Sequence, residues 1–578
     1  MSLGSRLLAV ALVFSAASAG SAHATWTPDG APLLPGSGLQ NIRSMLPDGS
    51  GGAFFAWEQG GGDLWQVAVQ HVNASGDFVA GWPSDGLPMS DPVRNLISGT
   101  WMFFDASKRL YVTWVVRQDT AKTLVYLRCV DDKGAPAPGW SAAGIRVGLG
   151  VGVDFRVRMV PDGTGGVIVA WGPASPQEDT PNEIRAQRVD ALGRTLWDTF
   201  GRTFVPTADD LIGPALATDG AGGAVIGWSS GAGNQGQIYV TRITGQGGFA
   251  PGWSSSGVAV ASTPGARVLG QMVSDGAGGA IVGWNESRVV SGPADQNVYA
   301  QRVLASGVIS PDWSPNGNAV CAQPKNQTSP FMCMDEAGGA ILAWNDFRPL
   351  GAATNIVAQR IDSKGRLLWA VAGVSVCTAV NIQRINALSS DGAGGAWLAW
   401  EDWRNGFDDS DIYGTHLLAD SRIDPEFPVN GAAACAAGGI QSSPMLAVDP
   451  GFKPIIAWPD TRLSFPATQI YLTQLVNPAS IPSHGPDPSL PGSPVLKRFA
   501  ARLSPSARLS FALPAAGITR LEIFDVNGRR LESRDLGMLA AGDHSVQLGG
   551  LEGRPAGVYI MRLRQGESAW TSRLVLLK

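Results

Sequence analysis

The sequence predicts an all-β chain: an eight-bladed β-propeller of four-stranded blades on a repeat of about 57 residues, then a small C-terminal β-sandwich. Three observations carry that prediction. Tryptophan returns every 56 to 60 residues, as Trp57, Trp114, Trp171, Trp228, Trp284, Trp344, Trp400 and Trp458. An aspartate stands nine residues before each (Asp48, Asp105, Asp162, Asp219, Asp275, Asp335, Asp391, Asp449), and such fixed-period self-similarity marks a repeat architecture. A second aromatic series, Trp26, Trp82, Trp140, Trp197, Trp253, Trp313, Trp369 and Phe427, precedes each unit rather than ending it.

Residues 1–24 read as a cleaved export signal. Arg6 precedes the apolar run Leu7–Phe14, and Ala22-His23-Ala24 gives a small-x-small site cut between Ala24 and Thr25. The run is too short to span a bilayer, and no later stretch of the mature chain is long and apolar enough. The protein is therefore expected to be secreted or to lie on the outer-membrane surface.

Residues 25–476 hold the repeats. In the fifth unit the strand-like runs are Arg267–Val273, Gly279–Trp284 and Asn297–Val303, with Val258–Ala261 ahead of them as a fourth. The link Asp275-Gly-Ala-Gly-Gly is a hairpin signal: the aspartate accepts turn N–H groups and glycine supplies positive φ. Four short strands without helical periodicity match a propeller blade. Because the chain opens with an isolated fourth strand near Gly30–Leu34 and closes with three strands up to Tyr471–Val476, joining those ends completes the eighth blade and removes a sheet edge. The recurring tryptophans are expected in the core rather than as a sugar-stacking ladder. Cys321, Cys377 and Cys435 fall at equivalent places in successive units, too far apart to bridge, and all five cysteines read as small buried hydrophobes.

Residues 477–494 (NPASIPSHGPDPSLPGSP) read as a linker. Residues 495–578 return to alternating strands over Ala507–Leu513, Thr519–Asp525, His544–Leu548, Val558–Leu563 and Ser572–Leu577. Here Phe524-Asp-Val-Asn-Gly-Arg-Arg, Ala541-Gly-Asp-His-Ser-Val, Pro555-Ala-Gly-Val-Tyr-Ile-Met-Arg-Leu and Leu574-Val-Leu-Leu-Lys resemble the C-terminal sorting domain of type IX secretion substrates. They also resemble the immunoglobulin-like domain of the flagellar hook-capping protein. The resemblance implies secretion machinery as a partner and removal of this domain at the cell surface. The repeats resemble uncharacterised bacterial secreted propellers, which implies no activity.

A net charge of -5 with 16% charged residues gives no footprint for nucleic acid. No Gly-x-Ser-x-Gly, HExxH or P-loop is present, and no cofactor is expected. His71 and His416 stand where other units have Arg188, Arg242, Arg302 and Arg360, so they read as structural. The informative polar feature is an acid-x-Arg after the strand-end tryptophan in units five to eight: Glu286/Arg288, Asp346/Arg348, Asp402/Arg404 and Asp460/Arg462, with Phe347 and Trp403 between two of them. Their loops open opposite the glycine hairpins. Asp408, Asp409 and Asp411 form a weak candidate cation site.

Two roles are open for the acid-x-Arg pairs. Each acid and arginine can tie down its own loop, or together they form a ligand surface for a glycan or peptide. The expected function is an exported binding or scaffold protein. The alternative is a polysaccharide-active enzyme, a glycosidase or lyase using loop carboxylates of blades five to eight. A purely structural surface-layer component is the third reading.

Overall fold

The computed structural model describes residues 26–577 apart from 28, 35–38, 62–63, 95, 119–121, 151–154, 175–181, 207–210, 232–235, 264, 288–294, 350–352, 408, 463–467, 477–499, 503–507, 514–515, 525–528, 541, 548–556 and 566–567. The export signal with Ala24 and Thr25, the 477–494 linker, Arg288 and Asp408 lie outside the described residues. The chain divides into two compact units, Met1–Ser480 and Ile481–Lys578.

Eight antiparallel sheets built on four radial strands make up the first unit, the architecture read from the repeats. The DGAGG links fold as hairpins for the reason their sequence gives. In blade 5, Asp275 Oδ1 accepts the N–H groups of Ala277 (2.8 Å) and Gly279 (2.8 Å), while Gly276 and Gly278 take positive φ. Its other oxygen holds Arg302 from the third strand at 2.9 Å. Beyond the hairpin, Ala280–Ser287 is buried along its length, as a strand packed on both faces must be.

First strands of successive blades pack against one another in a closed circuit. Eight apolar clusters follow the same circuit, each filled from two neighbouring blades. All eight strand-end tryptophans lie in them, at most 3% exposed, which settles their role as core. The five cysteines are buried and unpaired.

The ring closes where the sequence places its seam. Ala31 and Pro32 pair with Leu472 and Tyr471, so an N-terminal strand completes the eighth blade. Leu33 and Leu34 share a core cluster with residues of blades 8 and 1. One assignment shifts: Val258–Ala259 pairs with Gln237–Ile243 and is the outer strand of blade 4, while blade 5 takes Asn318–Cys321. Each outer strand thus belongs to the unit before it in sequence.

The second aromatic series rivets neighbouring blades. Each indole N–H donates to a carbonyl in the hairpin between the third and outer strands of the next blade: Trp82 to Asp132, Trp140 to Ala191, Trp197 to Gly245, Trp253 to Ala305, Trp313 to Ser363 and Trp369 to Ala419, at 2.9–3.2 Å. Trp26 does the same across the seam, to Ala74 at 3.0 Å. Phe427 breaks the series because blade 8 takes its outer strand from the N-terminus and has no such hairpin. Lys453 lies over the Phe427 ring instead, at 5.6 Å.

In the second unit, a five-stranded sheet (Arg530–Leu539, Gly517–Phe524, Gly557–Gln565, Ser568–Leu577 and Ala500–Arg502, in spatial order) accompanies a two-stranded one, Arg508–Leu513 with Gly542–Gln547. The strand Arg530–Leu539 is absent from the sequence reading. It is largely exposed and carries four charged residues in its first six, so it shows no buried face.

Candidate functional site

Each second strand runs away from its glycine hairpin, so its last residues reach the opposite face, where the second-to-third connections lie. The acids read as ligand contacts end these strands, and the structure turns them inward. Asp346, Asp402 and Asp460 are 0–2% exposed. Each accepts the indole N–H of its own tryptophan: Trp344 at 3.4 Å, Trp400 at 2.9 Å and Trp458 at 2.9 Å. Each also pairs with its arginine, at 2.7 Å for Arg348 and 2.6 Å for Arg404 and Arg462.

Those arginines then donate to backbone carbonyls ahead of the outer strand of the same blade: Ala372 at 3.2 Å, Asn430 at 2.8 Å and Asp29 at 2.8 Å. Arg404 and Arg462 also cover Tyr413 and Tyr471, with 3.7 and 4.0 Å to the ring centres. In blade 5, Glu286 accepts from Trp284 at 2.9 Å and pairs with Arg267, both side chains fully buried, where the sequence reading gave it Arg288. The acid-x-Arg residues therefore lock strands together. Of the ten expected ligand contacts, Phe347 (39% exposed) and the half-buried Trp403 present side-chain surface to solvent without such a lock.

Among the described residues no group of three His, Cys, Asp or Glu is placed to hold a metal. Asp409 accepts from Gly439 N at 3.3 Å and Asp411 from Asn405 Nδ2 at 2.7 Å, so neither is a bare ligand. Burial pushes the Asp411 carboxyl up to about 7, with Asp409, Asp402 and Asp29 adding repulsion.

The residue after each strand-end tryptophan, passed over in the sequence, carries the more useful chemistry. Strand alternation turns it away from the tryptophan and toward the next blade. Ser229 accepts Leu269 N at 3.2 Å and Asn345 accepts Ile385 N at 2.9 Å, both across a blade boundary. Two blades place a glutamate there. Glu58 accepts Thr100 Oγ1 at 3.1 Å and Arg43 Nε at 2.8 Å. Glu401 accepts Ser443 N at 2.6 Å and Asn386 Nδ2 at 3.3 Å, with Arg384 3.6 Å away. Burial raises the Glu401 pKa above the ordinary carboxylate value, against the opposing pull of Ser443 N–H and Arg384. The signal that finds it is the run Trp-Glu-Asp: the glutamate is the acid on the face away from Trp400.

Around Glu401 the surface is aromatic and basic. The Arg384 guanidinium is 60% exposed and lies 5.4 Å from the centre of the Trp403 ring; Phe407 is 64% exposed on the loop that follows. The apolar cleft at the seam, lined by Trp26, Leu33, Phe78 and Leu472 among others, has no titratable side chain and is not a site for acid–base chemistry.

No family model and no curated protein matches the chain. Among solved structures it is similar to an ulvan lyase of polysaccharide lyase family PL25 bound to a -[GlcA(1-4)Rha3S]- ligand, at 11% identity and a TM-score of 0.42 over 67% of this chain and 95% of that one. It is also similar to an α-L-arabinanase of Penicillium chrysogenum complexed with arabinobiose (13% identity, TM-score 0.31, 59% and 98% covered). A GH43_1 enzyme of Xanthomonas citri matches at 12% identity with a TM-score of 0.24, covering 49% and 93%. By their own descriptions these three are enzymes, where the sequence reading expected a binding or scaffold protein; that expectation is not sustained, and its enzyme alternative is taken up below as a proposal. At such scores the likenesses say nothing of this chain's chemistry, which has to be argued from its own residues.

Proposed function

We propose that the chain is a polysaccharide-active enzyme, a glycosidase or lyase, working on the loop face of blade 7 with Glu401 as the proton-transferring carboxylate. The observation that supports this reading is Glu401 itself: a buried carboxyl with a raised pKa beside exposed Arg384 and the Trp403 platform. A carboxyl held above its ordinary value stays protonated closer to neutral pH, where it can give a proton to a glycosidic oxygen or, once ionised, remove one from carbon. Its bonds to Ser443 N–H and Asn386 fix its orientation, and the half-buried Trp403 offers a face on which a sugar ring stacks. Export read from residues 1–24 would bring the enzyme to polysaccharide outside the cell.

The test is a polysaccharide panel assayed for new reducing ends and for the ultraviolet absorbance of unsaturated uronates, which only a lyase makes. Glu401→Gln should lower turnover by roughly a hundredfold or more, the usual worth of a general acid or base, with an unchanged melting temperature. Full activity in that variant removes Glu401 from the reaction.

A further inference from the structure

We propose that Arg384 gates the proton on Glu401: a sugar ring stacking on Trp403 displaces its guanidinium from Oε2, the oxygen that carries the proton, and so readies the carboxyl as the substrate binds. Where the proton goes rests on the enzyme reading above; the hold of Arg384 on Glu401 does not.

The hydrogen bonds of Glu401 fix which oxygen that is. Oε1 accepts Ser443 N at 2.6 Å and Asn386 Nδ2 at 3.3 Å, and Asn386 Oδ1 in turn accepts Glu401 N at 3.2 Å. Two donors occupy both lone pairs of Oε1, which makes it the carbonyl oxygen of the neutral acid and leaves the proton to Oε2. Facing Oε2 is Arg384 Nη1, 3.6 Å away. Register puts the pair there, because Arg384 and Glu401 are direct partners across the first and second strands of blade 7. Asp402, the next acid along, belongs to the other face of the strand and to Arg404.

Arg384 is held loosely. Its contact with Oε2 is longer than a hydrogen bond, it makes no hydrogen bond among the described residues, and its side chain is 60% exposed. Arg404 and Arg462, by contrast, approach their acids to 2.6 Å and donate to carbonyls as well. Blade 1 supplies the closest comparison. Glu58 stands at the same strand position, yet Arg43 Nε donates to its Oε2 at 2.8 Å and Thr100 Oγ1 to its Oε1 at 3.1 Å, so both oxygens are engaged. In blade 7 the guanidinium instead lies over the Trp403 ring, 5.4 Å from its centre. A sugar that stacks on that face takes the guanidinium's place, and an exposed pair at this range costs little to part.

The electrostatic consequence has one sign. Burial raises the Glu401 pKa, while Ser443 N–H, Arg384 and Asn386 pull it down. Arg384 is the charged group among them, so its departure favours the protonated acid as the substrate arrives. In hydrolysis the Oε2 proton passes to the glycosidic oxygen as its bond to the anomeric carbon breaks. Water adds to that carbon, and its spare proton returns to Glu401.

Two measurements test the gate. The first needs no substrate: isotope-edited NMR of the full chain labelled at the glutamate carboxyl carbon, with the Glu401 signal assigned by its loss in Glu401→Gln. In Arg384→Ala that signal should titrate roughly one pH unit higher at an unchanged melting temperature, and in Arg384→Lys close to its original position. Arg43→Ala should leave it where it was. An unmoved titration in folded Arg384→Ala overturns the proposal. The second uses the polysaccharide that the panel shows to be cleaved. The basic limb of kcat/KM reports the free enzyme and that of kcat the bound complex, so the kcat limb should lie at higher pH, and in Arg384→Ala the two should coincide. Coincident limbs in the unsubstituted chain, or a gap that survives Arg384→Ala, overturn the displacement. If no polysaccharide is cleaved, the enzyme reading and the displacement fall together, while the titration still decides whether Arg384 holds Glu401.

Discussion

Side-chain direction decides what each acid at the end of a second strand can do. In blade 7 Asp402 and Glu401 are consecutive, yet one ties Trp400 to Arg404 and the other faces Ser443 of the next blade. The sequence made the first conspicuous because it recurs in four units. Repetition is what a structural lock produces, so the most regular polar signal pointed away from the site. Asp411 is a third case, a carboxyl pushed up to about 7 by burial. Its sign is that of an acid destabilised when ionised. The unfolded chain ionises near 3.8 while the folded one stays protonated, so stability falls between 3.8 and about 7 and the penalty is complete above about 7. Asp411→Asn keeps an oxygen for Asn405 and removes that penalty. Its melting temperature should match the unsubstituted chain at pH 4 and exceed it at pH 8, by up to about 4 kcal/mol for roughly three pKa units. An equal gain at both pH values would assign the effect to packing.

At the scale of strands and hairpins the sequence was legible where one residue type has one physical use. Aspartate followed by glycines gave the first hairpin in six of the eight blades, Arg109 and Lys453 standing where the others have glycine, and the strand-end tryptophan gave the core. The register of the first strands was not legible, because bulges near the loop face, such as that between Ile385 and Ala387, shift which residue opposes which. Arg43 falls in such a bulge, between Ile42 and Ser44, a position that no spacing rule records. The tryptophan rivets make a sharper prediction. Trp369→Phe removes the bond to Ala419 and part of the packing, for a loss of about 1–3 kcal/mol in denaturant unfolding. Phe427→Trp should bring no gain, since blade 8 offers no hairpin carbonyl to its indole. Stabilisation by Phe427→Trp would mean that the series breaks for another reason.

For the propeller as a whole, the controlling fact is that blade 8 is built from both ends of the array. Removing residues 26–34 strips the partner from Gln469–Gln474 and takes Leu33 and Leu34 from the seam. The shortened chain should melt at lower temperature and self-associate on size-exclusion chromatography through its bared edge. A monomer of unchanged melting temperature would show that the ring holds without its latch. The same arrangement governs timing. Synthesis proceeds from the N-terminus, so the segment around Ala31 waits without a partner until Tyr471 and Leu472 have been made, while seven blades can already assemble. The final step joins segments some 440 residues apart, the kind of distant pairing that slows folding, and an unlatched intermediate is the form most exposed to chaperones.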